Sequence, residues 1–317
     1  MKNPTPSPSV PPLPAKGTIL ERRVLGMIFK NPVLPASGTF GFGVEVNFKF
    51  YPIDILGGLI TKGISSVPWS GNPTPRCAET PGGMLNAVGL QNPGVDVFVE
   101  DYLPFMKSHG IPVIAQAIGK SAEEYIDVVK KLCAAGADAI ELNVSCPNVK
   151  VGCSFGVDPK ALETLVRNVK KVCPIPLIVK LTPNVTSIAD IARAAERGGA
   201  DAISLINTIA GMAVDIETRK PILGNRTGGL SGPCIKPVAL KMVHDVYNAV
   251  KIPIIGCGGI SNFRDVIEFM LCGATLVQVG TLNMTDPTAI PQMIKDLENW
   301  CNEKDINNLD DIVGTLL

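Results

Sequence analysis

Groups able to take up a proton near neutral pH are scarce in this chain. Among 317 residues there are two histidines, His109 and His244. His109 sits in the turn-like Ser108-His109-Gly110, and His244 falls inside a segment of helical pattern, on what reads as a solvated face. A Ser-His-Asp triad and a histidine metal site are therefore not expected. Nine cysteines occur without a CxxC pair, so neither a zinc knuckle nor an iron–sulfur cluster is expected, and no metal. One cysteine stands out. Cys146 lies in Asn143-Val144-Ser145-Cys146-Pro147-Asn148, in a Pro-Asn turn directly after an apolar run. A thiol with an ordinary pKa of ~8.5 serves as a general base where its surroundings favour the thiolate. The other eight cysteines, scattered through apolar segments, read as reduced, buried thiols of a cytosolic protein.

The elements that must position Cys146 follow a repeating pattern. Eight short apolar runs cover residues 33–36, 58–61, 112–115, 139–142, 177–179, 202–205, 252–255 and 276–279. Continuous rather than alternating apolar runs are what parallel strands covered on both faces require. Helical segments fall between several of them: 122–135 capped by Ser121, 159–172, 188–197 stopped by Gly198-Gly199, 237–250, and 263–271. Strand and helix alternating in this way predict a (β/α)8 TIM barrel, with a doubly wound sheet as the competing fold. Residues 18–31 read as a β-hairpin turning near Leu25-Gly26, a lid over one end of the barrel. The inserted segments 65–103 and 210–236, rich in Gly, Pro, Asn and Thr, read as long loops over the C-terminal mouth. Residues 1–17 hold six prolines and predict an extended, mobile tail, leaving 18–317 as one domain.

In a TIM barrel the active site lies at the C-terminal strand ends. Those ends carry Ser37, Lys62, Gln116, Asn143 with Cys146, Lys180, Asn207-Thr208, Gly258-Gly259 and Gly280-Thr281. Each alone reads as a strand cap or solvated loop residue; together they place two lysines, asparagines and a cysteine at one mouth. His109 precedes the third strand and falls at the opposite end. The last two strands end in glycines, Gly256-Cys257-Gly258-Gly259 and Gly280, where backbone N–H groups can close on a phosphate. The spacing is not the GxGxxG of a dinucleotide site. A mononucleotide is implied, FMN being the commonest such cofactor in this setting.

Composition narrows the classes further. Hydrophobic residues make up 46% and charged residues 18%, enough for a large core. Lys+Arg and Asp+Glu balance at 29 each, which argues against a nucleic-acid partner. No apolar run reaches membrane-spanning length and no signal-peptide core is seen, so a cytoplasmic location is expected.

As a set these segments resemble the class 1 dihydroorotate dehydrogenases. The likeness is carried by Ala36-Ser37-Gly38-Thr39-Phe40-Gly41, Thr61-Lys62-Gly63-Ile64, Asn86-Ala87-Val88-Gly89-Leu90-Gln91-Asn92, Glu141-Leu142-Asn143-Val144-Ser145-Cys146-Pro147-Asn148 and Val179-Lys180-Leu181. Ile206-Asn207-Thr208, Thr227-Gly228-Gly229-Leu230-Ser231-Gly232 and the two glycine-rich strand ends complete it. Class 2 enzymes carry a serine base and a membrane anchor; this chain has Cys146 and no anchor is seen.

The resemblance implies that Cys146 removes the C5 proton of dihydroorotate while C6 passes hydride to FMN N5, giving orotate for pyrimidine biosynthesis. It implies that Lys180 lies at the flavin N1/O2 edge. Substrate contacts carry over to Lys62, Asn86, Ala87, Val88, Gly89, Leu90, Asn143, Asn148, Asn207 and Thr208. FMN contacts carry over to Ser37, Lys62, Gly63, Gln116, Asn143, Lys180, Ile206, Gly232, Gly258, Gly259, Gly280 and Thr281. Gln116 departs from the family's usual asparagine. Asp215-Ile216-Glu217-Thr218-Arg219-Lys220-Pro221-Ile222-Leu223 and the following Thr227–Pro233 resemble the NAD-linked 1B type more than the fumarate-linked 1A type. That type implies a partner subunit with FAD and a [2Fe–2S] cluster, in a heterotetramer; a homodimer is the other assembly expected. Competing readings are a tRNA-dihydrouridine synthase, which needs a basic RNA-binding face, and a non-catalytic FMN barrel.

Overall fold

The computed structural model describes residues 17–145 and 155–317. Eight parallel strands build the barrel: β1 (Val33–Pro35), β2 (Leu59–Ile60), β3 (Val113–Ala117), β4 (Ala139–Asn143), β5 (Leu177–Lys180), β6 (Ala202–Leu205), β7 (Ile254–Cys257) and β8 (Leu276–Val279). Their order is β1-β8-β7-β6-β5-β4-β3-β2. The ring closes where Gly57 N–H donates to Val33 O at 3.1 Å. The expected (β/α)8 barrel is therefore the observed fold. All eight expected strands are present, most of them shifted by a residue or two.

The helices between the strands start and stop where local chemistry satisfies their ends. Ser121 caps Ala122–Ala134 by accepting from Glu124 N–H, and Asp158 caps Pro159–Lys170 through Lys160 and Ala161. Asn262 and Asp265 form a reciprocal capping box at Phe263–Leu271. The longer helices lay apolar faces on the barrel; Leu162, Leu165, Val166 and Val169 are the buried face of Pro159–Lys170. Burying such a side chain contributes roughly 1.5–3 kcal/mol before entropy is counted.

The expected hairpin plugs the N-terminal end of the barrel. Its strands Arg22–Val24 and Met27–Phe29 are joined by Leu25 (φ 57°) and Gly26 (φ 74°), a two-residue turn with both angles positive. Val24 and Phe29 pack on Leu34, Ile60, Ile114, Ala139, Ile178, Ala202, Ile255 and Leu276, one inward residue from each strand. Arg22, fully buried beside them, reaches Asp310 at 2.7 Å and Thr275 O at 3.2 Å.

The two inserted segments are not simple loops. Cys77–Thr80, Gly83–Asn86, Gly228–Ser231 and Ile209–Gly211 pair into one four-stranded antiparallel sheet over the C-terminal mouth. Gly229 sits in it because a Cβ there would come within 1.9 Å of Thr208 Oγ1. The reading of the cysteines as buried also needs correction. Cys173, Cys257, Cys272 and Cys301 are buried, but Cys77 and Cys234 are exposed, since both belong to or adjoin this outer sheet.

Candidate active site

The barrel interior changes character toward its C-terminal end. Gln116, Glu141, Ser204 and Gln278 point inward and are fully buried; Lys180 and Asn143 are 4% and 5% exposed. Strand register puts them side by side, with Gln116 opposite Glu141 and both Asn143 and Ser204 opposite Lys180. Glu141 is the hub. Its Oε1 accepts from Gln116 Nε2 at 2.6 Å, and its Oε2 from Ser204 Oγ at 2.8 Å and Gln278 Nε2 at 2.5 Å. Lys180 Nζ donates to Gln278 Oε1 at 2.9 Å and lies 3.8 Å from Glu141 Oε1. A buried ammonium and carboxylate persist only with such a complement of partners.

A second chain of bonds leads from this layer to the mouth. Asn143 Nδ2 donates to Gln116 Oε1 at 3.2 Å, and Ser145 Oγ donates to Asn143 Oδ1 at 2.5 Å. Asn207 Nδ2 donates in turn to Ser145 Oγ, while Asn207 Oδ1 accepts from Thr208 N–H at 2.8 Å. Gln116, Asn143, Lys180, Asn207 and Thr208, picked from the sequence one by one, thus belong to a connected polar network. Cys257 is buried nearby, and burial holds its pKa above the usual thiol value, with Lys180 opposing the rise and Glu141 adding to it. Cys146 and Asn148 lie outside the described residues, as does nearly all of the proline-rich tail.

Lys62 follows β2, next to the strand that carries Gln116, half-buried beside a cleft of about 340 Å³ shared with Phe42, Trp69, Gln91 and Tyr102. Burial, and then the charge of Arg76, holds its pKa below the ordinary lysine value. The segment Asn86–Leu90 is bound to the irregular segment 72–76. Asn72 N–H donates to Val88 O at 3.1 Å and Ala87 N–H to Arg76 O at 2.7 Å; Gly89 (φ 76°) and Leu90 (φ 54°) turn it back.

A cavity of about 760 Å³ lies beyond the ends of β7 and β8, lined by Gly232, Gly259, Ser261, Thr281, Gly83 and Met84. Gly259 (φ 78°) passes so close to Gly232 that a Cβ would lie 2.9 Å from Gly232 O and 2.8 Å from Lys236 N. Among the described residues no backbone acceptor takes the N–H of Gly259, Gly280 or Thr281. Free N–H groups on a glycine-lined wall suit a phosphate, and the volume suits a mononucleotide. The residues present therefore fit FMN, with Gly232, Gly259 and Thr281 lining the cavity and Lys180 and Gln116 buried in the polar layer of the same barrel. Gly63 crosses Gln116 so tightly that a Cβ would meet Gln116 Oε1 at 3.1 Å. Ser37 follows Ala36, whose N–H donates to Val279 O at 2.7 Å, and so sits by the end of β8.

Sequence reasoning missed Glu141, Ser204 and Gln278. A signal was there: a carboxylate inside Ala139-Ile140-Glu141-Leu142 and an amide inside Leu276-Val277-Gln278-Val279 interrupt otherwise apolar strands. A polar side chain there must find partners inside the barrel.

Fold and site define a phosphate-binding TIM barrel with a charged, hydrogen-bonded floor beneath its mouth. The family model for dihydroorotate dehydrogenase matches residues 19–300, and the chain belongs to that family. Its relatives include proteins named dihydroorotate dehydrogenase B (NAD(+)), catalytic subunit. That of Lachnoclostridium phytofermentans is 52% identical over 292 residues, covering 92% of this chain and 97% of the relative. Those of Alkaliphilus oremlandii and Bacillus mycoides are 53% and 50% identical, covering 92% and 93% of this chain and 97% and 96% of the relatives.

Proposed function

We propose that this chain is the FMN-carrying catalytic subunit of an NAD-linked dihydroorotate dehydrogenase, oxidising dihydroorotate to orotate in pyrimidine biosynthesis. The observation that carries this reading is the pairing of a glycine-walled cavity with the Lys180–Gln278–Glu141–Gln116 layer at the same barrel mouth. The names of the relatives support the NAD-linked type over the fumarate-linked one.

FMN held by the glycine-lined wall beside Lys180 and Gln116 would supply the hydride acceptor for C6 of dihydroorotate, and a partner subunit holding FAD and a [2Fe–2S] cluster would supply the route to NAD. Cys146 takes the C5 proton. Lys62 and the backbone of Asn86–Leu90 hold the substrate carboxylate. Asn86, Asn143, Asn148, Asn207 and Thr208 face the pyrimidine, whose alternating N–H and C=O groups match the donor and acceptor of an amide. Lys180 supplies fixed positive charge beside the ring edge where negative charge accumulates.

None of the described helices is long and apolar enough to cross a membrane. The enzyme works in the cytoplasm, as a homodimer or within a heterotetramer. Val214 and Ile216, 52% and 81% exposed on a short hairpin, support an assembled state.

The test is direct. The purified chain should release FMN on denaturation, and dihydroorotate should bleach its flavin anaerobically. Alone it should reduce dyes or oxygen but not NAD; a co-purified FAD/[2Fe–2S] subunit should restore NAD reduction. Absence of dihydroorotate-dependent bleaching would overturn the reading, and efficient fumarate reduction would move the enzyme to the other type.

A further inference from the structure

Glu141 has no part in the chemistry outlined above, yet it is fully buried and surrounded by side chains that point toward the mouth. We propose that Glu141 is a positioning residue: together with Gln278 it holds the Lys180 ammonium in place at the flavin edge. The proposal rests on the role given to Lys180 above and deepens it.

Three observations carry it. Glu141 is the carboxylate paired with Lys180, at 3.8 Å, and both side chains are at most 5% exposed. Gln278 bridges the two, accepting from Lys180 at 2.9 Å while donating to Glu141 at 2.5 Å. That arrangement fixes the amide: if it flipped, its NH₂ would face the ammonium and its oxygen the carboxylate. The remaining Glu141 bonds, from Gln116 and Ser204, anchor the carboxylate on two further strands, so that it cannot follow Lys180 if the lysine moves. Lys180 is thus held by a rigid acceptor pair rather than by solvent.

The sign of the effect separates this role from its alternatives. In Glu141→Gln the ammonium loses its buried counter-charge, and an unpaired buried charge leaves its site or gives up its proton. Either way the flavin edge loses its positive neighbour, and the flavin becomes harder to reduce. If Glu141 acted only as a charge through space, its neutralisation would make the flavin easier to reduce. If its role were structural only, flavin-loaded protein would keep the wild-type potential.

The experiment measures the flavin midpoint potential of FMN-loaded wild type, Glu141→Gln, Lys180→Met and the double variant by equilibration with reference dyes. Glu141→Gln should lower the reduction equilibrium constant at least ~10-fold, about 30 mV for a two-electron couple. It should have little further effect in the Lys180→Met background, because coupled residues are non-additive. An unchanged or raised potential, or full additivity, would overturn the proposal. Should Glu141→Gln not fold, Gln278→Met removes the bridge while keeping the carboxylate, and it too should lower the potential; no change there would sink the idea equally. Wild type that holds no FMN would count against the proposed function and not against this coupling.

Discussion

Gln116 Nε2 donates to Glu141 Oε1 across 2.6 Å inside the barrel, and Gln116 Oε1 accepts from Asn143 Nδ2 at 3.2 Å. Both ends of one amide are thereby engaged, linking the buried carboxylate to an asparagine of the proposed substrate site. Shortening this side chain by one methylene should break at least one link. Gln116→Asn is expected to cost about 1–3 kcal/mol, because a buried charged acceptor loses a donor. Equilibrium denaturation against wild type checks this; unchanged stability would mean that a new partner replaces the lost one.

Cys146→Ala should retain FMN and bind orotate, since Asn143 and Lys62 remain. Its flavin should bleach with dihydroorotate at least ~10²-fold more slowly, the usual cost of losing a general base. Reoxidation of pre-reduced flavin should stay near wild type. Cys146→Ser should fall between the two at high pH. Anaerobic stopped-flow absorbance reads all of this, and a wild-type bleaching rate in the alanine variant would place the base elsewhere.

Lys62 leads to a pH prediction. A lysine binds an anion in its charged form, and that form is lost as pH rises through its pKa. Burial first, and Arg76 second, hold this pKa below the usual lysine value. Orotate affinity should therefore be full at neutral pH and decline at a lower alkaline pH than an ordinary lysine, near 10.4, would give. Arg76→Gln removes the like charge and should move the decline to higher pH. Titrations of orotate against the flavin spectrum across pH measure both; coincident profiles would refute the electrostatic link.

Gly280 offers a test of the cofactor wall that leaves the fold alone. The nearest atom to a Cβ there is Ala36 Cβ at 3.7 Å, an ordinary contact. Gly280→Ala should fold with wild-type stability, yet its methyl group would crowd the proposed phosphate site, which the neighbouring Thr281 lines. We expect FMN to dissociate at least ~10-fold more readily, read by the fluorescence of released flavin. Gly259→Ala, by contrast, should lose stability as well, because its positive φ and its backbone neighbours leave no space.

The sequence by itself determined the barrel and the address of its site. Eight apolar runs separated by capped amphipathic helices permit few other folds, because parallel strands and their covering helices impose distinct local periods. The same pattern put Lys62, Asn143, Lys180, Gly258-Gly259 and Gly280 at strand ends. What tertiary structure decided was non-local. The sheet over the mouth pairs Gly83–Asn86 with Gly228–Ser231, glycine-rich segments far apart in the chain, whose pairing no local signal encodes. Likewise Glu141, Gln278 and Lys180 come from three strands and meet only because the barrel closes with their side chains inward at one level. Within any one strand each is a polar interruption; only closure makes them partners, since a buried charge is stable only where distant residues satisfy it.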